Sequence, residues 1–170
     1  AGSWSTGGAL NTARDLGGSL GIQTAAMHFG GRDPGTSGID TTETYNGSAW
    51  SETADLTTVK IANTGFGTTT AGLSVGGRNP GDAALNESET WNGTSWTEGP
   101  DVSTIGQSSG GSGTTEAAWI AGRGPTNPPG SGPTVATEEF NGSSWTAGGN
   151  MNTDAAGGGG CGTQTAALFT

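Results

Sequence analysis

The stretch Thr41-Thr-Glu-Thr-Tyr-Asn-Gly-Ser-Ala-Trp-Ser-Glu-Thr53 decides the fold. Two strand-like runs flank Asn46-Gly47. Asn-Gly in that setting predicts a tight hairpin, since both central residues of a type I′ turn need positive φ. The same signal recurs at Asn92-Gly93 and Asn141-Gly142, again with an aromatic before it and a tryptophan after it. The aromatic pairs are Tyr45 with Trp50, Trp91 with Trp96 and Phe140 with Trp145.

Working outward, Trp4, Trp50, Trp96 and Trp145 are spaced 46, 46 and 49 residues apart. Columns accompany them: apolar Leu10, Leu56, Val102 and Met151, then Thr12, Thr58, Thr104 and Thr153. Glu43, Glu89 and Glu138 each stand two residues before the aromatic. A period in the forties signals a solenoid or a propeller. Each period also holds a Gly-rich stretch, read as one short strand, and a run of small then larger apolar residues, such as GIQTAAMHFGGR from Gly21, read as another. Four short strands per period and no helix are predicted, and a four-stranded unit of this length is a propeller blade. On this reading the repeats run 4–49, 50–95 and 96–144, with an incomplete one at 145–170, about 3.5 blades in one partial ring across 1–170. The ring then closes either through further sequence or between copies, because open blades leave exposed edges. Arg78 to Glu89 is shorter than Arg123 to Glu138, which places a Pro/Gly insertion in the third repeat and a one-residue deletion before it.

Composition fits this plan. Glycine fills 35 of 170 positions, far above ordinary usage. Close backbone approach at crowded innermost strands gives that richness a reason. The net charge is -10, which opposes binding to nucleic acid, because phosphate would be repelled. No apolar run reaches the roughly 20 residues of a membrane span, and no membrane insertion is expected. Cys161 is the one cysteine and His28 the one histidine, so no disulfide, thiolate metal cluster or ready catalytic constellation is expected. No cofactor and no metal are expected, and the segment is read as non-enzymatic.

These residues resemble the Kelch repeat. Gly30-Gly31 and Gly76-Gly77 match its double glycine, the aromatic pairs match its aromatic and Trp, and Leu10 to Arg14 (LNTAR) looks like the stretch that follows the Trp. Departures are the short gap between aromatic and Trp, Ala121-Gly122 in place of a double glycine, and a basic LNTAR position kept only as Arg14 and Lys60, with Gly106 and Ala155 replacing it. The resemblance implies an all-β propeller of four-stranded antiparallel blades. Such Ser/Thr/Gly-rich repeats are also similar to those of bacteriophage and marine microbial surface proteins.

Candidate sites follow. Arg32, Arg78 and Arg123 recur after the glycines and are expected to pair with Glu43, Glu89 and Glu138 inside each blade. His28 is expected to be an ordinary strand side chain and Cys161 a small buried thiol. The loops 33–42, 79–88 and 124–137 differ most between repeats and would lie on one rim, with Asp33, Asp40, Asn79, Asp82 and Asn127 as candidate binding residues. Asp33-Pro34-Gly35 and Asn79-Pro80-Gly81 predict tight turns with Pro at the second position and Gly at the third. The function expected is a non-catalytic structural or recognition module, extracellular or on a virion (tail, fibre or appendage). Its partners would be other virion or cell-surface proteins, or glycans, with self-association through open blade edges. The alternatives are a carbohydrate-binding lectin, or part of a glycan-active enzyme whose catalytic residues lie outside this segment.

Overall fold

A computed structural model describes residues 6–104, 106–124 and 132–170; Trp4 and Asn127 lie outside them. The described residues are all β, with no helix. Strands β1 (Gly18–Ile22), β2 (Ala25–Phe29), β3 (Thr42–Tyr45) and β4 (Trp50–Thr53) form one antiparallel sheet in sequential order. A second contains β5 (Thr64–Thr68), β6 (Ala71–Val75), β7 (Ser88–Trp91) and β8 (Trp96–Glu98). A third contains β9 (Gly110–Gly113), β10 (Ala118–Ala121), β11 (Thr137–Phe140) and β12 (Trp145–Ala147). The pair β13 (Gly160–Thr163) and β14 (Ala166–Phe169) stands alone. Each four-stranded sheet ends on the tryptophan strand that opens the next sequence repeat.

Local chemistry refines three expectations. The run from Gly21 is not one strand: Gly21 and Ile22 close β1, Gln23-Thr24 turn, and β2 begins at Ala25. The Asn-Gly hairpins are four-residue loops, since Tyr45 pairs with Trp50, so no two-residue type I′ turn is formed. Gly47 takes φ 93°, while the Asn46 side chain accepts hydrogen bonds from the Ser48 and Ala49 amides at 2.9 and 3.0 Å. Asn92 and Asn141 repeat this arrangement, because an Asn carboxamide readily mimics a turn carbonyl. Third, Gly35 and Gly81 do not use positive φ; Thr36 (72°) and Asp82 (64°) do. The two Pro turns are therefore type I turns followed by a left-handed residue, the three-residue hairpin form.

The sheets stack face to face in chain order. Phe29, Met27 and Leu20 of the first, with Leu56 of the linker that follows it, meet Trp91 and Trp96 of the second. Phe66, Leu73 and Val75 of the second meet Ile120, Phe140 and Trp145 of the third. Trp96 packs edge-on against Phe29 at 4.7 Å and donates its indole N–H to Thr42 Oγ1 at 3.1 Å. Large aromatic area between sheets is what holds such a stack together. Tyr45 and Trp50 are only half-buried.

The first strands of the sheets, β1, β5, β9 and β13, pack side by side. Their glycines permit the approach: a Cβ on Gly160 would stand 2.6 Å from the Gly111 amide nitrogen, and one on Gly65 2.7 Å from the Ser19 carbonyl. Just before these strands one residue per repeat is left-handed: Leu16, Ala62, Ser108 and Gly157. Each of the last three donates its N–H to the carbonyl of its predecessor, at 2.7, 2.9 and 2.8 Å. A backbone chain of hydrogen bonds thus runs from one repeat to the next, independent of side chain.

Candidate functional site: a rim of turns above buried ion pairs

Beneath the rim, three buried carboxylates hold the connections between sheets. Glu43 accepts from the amides of Asn11 and Thr12 and from the Arg14 guanidinium, the last at 2.7 Å. Glu89 accepts from Thr57 and Thr58 and pairs with Lys60 at 3.1 Å. Glu138 accepts from Ser103 and Thr104 and pairs with Arg123 at 2.5 Å. All three are almost fully buried. Each sits at the same place in the third strand of its sheet and clamps the linker entering that sheet. Burial alone would raise the Glu43 carboxyl, but the two amides and Arg14 hold it below its ordinary value. Glu138 is likewise held low against burial, by Arg123 and the Ser103 and Thr104 amides. Burial pushes the Lys60 ammonium down, although Glu89 opposes it.

The expected pairing of the recurring arginines with the glutamates holds only for Arg123. Arg32 instead pairs with Asp15 at 2.7 Å, and Arg78 with Asp82. In the first two sheets the buried cation comes from the LNTAR column, as Arg14 and Lys60. Strand register gives the reason. Gly122 bonds to Ala136 as Gly30 bonds to Thr41 and Gly76 to Glu87. Arg123 therefore occupies the column of the second glycine, and Gly124, bonded to Gln107, the column of Arg32 and Arg78. There is no deletion. Gly106 leaves empty the space where Arg14 and Lys60 rise, and Arg123 fills it: a Cβ on Gly106 would meet the Arg123 Cβ at 2.6 Å.

On the rim, Asp33 accepts from the Ser37 amide at 2.8 Å, and Asn79 from the Gly81 and Ala83 amides at 2.9 and 3.0 Å. These candidate side chains thus build their own turns. Asp82 neutralises Arg78, and Asp40 is half-buried, its carbonyl accepting from Leu56. A groove of about 300 Å³ lies between the Ala13–Asp15 linker and the Asp33–Thr36 turn, lined also by Arg32. The Arg32 partner holds the Asp15 carboxyl below its ordinary value, and Arg78 adds to this from the next repeat. The structure therefore brings Asp33, Arg32 and Asp15 together and places the Arg78–Asp82 pair nearby. Asp15 carried no signal in the sequence, because its column is otherwise Ile61 and Gln107.

His28 is half-buried beside Gly17, whose missing Cβ would stand 2.7 Å from Nε2. Burial and then the nearby Arg14 lower its pKa, with Glu43 opposing. Cys161 is exposed rather than buried. Glu116 lies exposed in the turn between β9 and β10. Among the described residues no group of three or more His, Cys, Asp or Glu is placed to hold a metal ion. No protein-family model matches this chain, and a search of curated proteins finds no match.

Proposed function

We propose that this chain forms a partial Kelch-like β-propeller serving as a non-catalytic structural or recognition module. It would be displayed on a virion or microbial surface and meet a protein or glycan partner through its rim turns. The observation that carries this reading is the way the rim is held. Asp33 and Asn79 fold their own turns, and the Asp15–Arg32 and Arg78–Asp82 pairs brace the turns above a clamped linker. Side chains on pre-ordered turns over a rigid scaffold bind without a large ordering cost. The sequential stacking of four-stranded sheets with glycine-lined first strands supports the propeller, and the low lysine content and Ser/Thr-rich surface support an exterior setting.

The test is a glycan array together with capture from detergent-solubilised host-surface protein, using the parent and a variant with residues 33–37 and 79–83 replaced by Gly/Ser turns of equal length. The reading expects binding by the parent and its loss in the variant, with an unchanged circular dichroism spectrum. Binding that survives the replacement would overturn the rim as the recognition surface. Saturable sugar binding at one site per sheet would favour the lectin.

A further inference from the structure

The tips of the outer hairpins carry chemistry that their turns do not use. Asn-x-Ser/Thr, the acceptor sequence for N-linked sugar, occurs four times: Asn46-Gly-Ser48, Asn86-Glu-Ser88, Asn92-Gly-Thr94 and Asn141-Gly-Ser143. Three of these are the tips that join β3 to β4, β7 to β8 and β11 to β12. There each Asn Oδ1 accepts from the amides two and three residues on, at 2.9 to 3.0 Å. Because both partners are N–H donors, the atom they meet is the carboxamide oxygen, and Nδ2 is the atom left over. Among the described residues, Nδ2 of Asn46 and of Asn141 makes no hydrogen bond, and that of Asn92 has only Ser95 Oγ at 3.4 Å. All three asparagines are exposed, as are Ser48, Thr94 and Ser143. The hydroxyls of these last three bond to none of the described residues, so turn geometry gives no reason for their recurrence. Asn86 is different. It is half-buried and gives Nδ2 to Asp101 Oδ2 at 3.2 Å. Its Ser88 is fully buried and gives its hydroxyl to the Pro100 carbonyl at 2.8 Å.

We propose that Asn46, Asn92 and Asn141 are acceptor sites for N-linked sugar and that Asn86 is not. The donor is an oligosaccharide carried on a lipid pyrophosphate. Nδ2 forms a bond to the anomeric carbon, the bond from that carbon to the pyrophosphate oxygen breaks, and the lipid pyrophosphate leaves. Nδ2 gives up one proton to the transferase. The product is still a neutral carboxamide, so Oδ1 keeps both of its amides and the hairpin is undisturbed. Turn and modification therefore use different atoms of one side chain. The three tips stand at the end of each sheet opposite the Asp33 and Asn79 turns, since β3 and β7 run from one end to the other. Sugar on them leaves the rim turns uncovered. The assignment rests on the exterior setting proposed above, and not on what the rim binds.

The experiment secretes the full chain from cultured insect cells behind an added signal sequence. Intact glycopeptides are then weighed and sequenced, so that deamidation at Asn-Gly is not counted as sugar. Sugar on Asn46, Asn92 and Asn141, with Asn86 bare, is the expected pattern. Ser48→Ala removes a hydroxyl and keeps the backbone amide that Asn46 holds. It should empty Asn46, leave the other two tips filled and leave the circular dichroism spectrum unchanged. Asn46→Asp keeps the turn acceptor and should likewise lose sugar at that tip alone. Bare tips on the folded, secreted chain would overturn the assignment. Sugar on Asn86 as often as on the tips would overturn the part given to exposure and a free Nδ2. Rim binding is measured on the same chain after enzymatic removal of the sugar, so a failure of the rim reading is seen apart from a failure of this one.

Discussion

The clamp of the first sheet and the clamp of the third solve one problem with different residues. Glu43 and Glu138 stand in the same strand position and take the same pair of linker amides. Arg14 rises from the linker and meets the carbonyls of Thr41 and Gly30 on the way to Glu43. Arg123 descends from the glycine turn, and its Nε and Nη1 find no partner. The carboxylate and the amides are thus fixed by the backbone, whereas the cation needs only to arrive. A buried carboxylate must be hydrogen-bonded and neutralised, but nothing dictates from which strand the charge comes.

The largest break in this comparison is removal of the carboxylate. Glu138→Ala strands a buried guanidinium and two amides, and should destabilise by about 3–5 kcal/mol. Glu43→Ala should fall at the low end of that range, because Arg14 keeps its carbonyl partners. Urea unfolding of both variants measures the difference, and equal losses would show that the carbonyls contribute nothing. Next in size is the exchange Gly106→Arg with Arg123→Gly. Gly106→Arg alone collides with the Arg123 side chain, and Arg123→Gly alone leaves Glu138 unpaired. Together they recreate the first-sheet arrangement, and a double-mutant cycle should show a favourable coupling of about 1–3 kcal/mol. Additive losses would mean that the two columns are not interchangeable.

The gentlest probe is pH. Glu43 and Glu138 have folded pKa values below their ordinary 4.5. Their stabilisation is therefore present above that value and is lost as pH falls through the folded values. His28, lowered from 6.5, acts in the same direction at milder acidity, since the unfolded chain takes up its proton first. Stability should fall in two stages on acidification. His28→Gln should remove only the upper stage, and Glu138→Gln should reduce the lower one. An unchanged profile in either variant would remove that group from the account.

Much of this architecture was legible because it repeats. The Asn-Gly hairpins, the Gly-rich first strands and the glutamate column each read the same way three times. The clamp's cations were misread for a physical reason. Matching letters aligned Arg123 with Arg32 and Arg78, whereas backbone register aligns it with Gly31 and Gly77. Asp15 was invisible because it recurs nowhere. The tight turn at Asp33-Pro34-Gly35 was legible from its letters, but the left-handed residue that follows it, Thr36, was not.

The chain of amides through Leu16, Ala62, Ser108 and Gly157 carries a consequence for how such a protein changes over generations. Its links are peptide groups, so mutation at those positions alters bulk and polarity without cutting a link, and four different side chains already stand there. Duplicating or deleting a whole unit in frame adds or removes one complete link and leaves its neighbours in register. A gain or loss of a few residues between links has no such protection. Selection on this lineage would therefore conserve spacing more strictly than spelling.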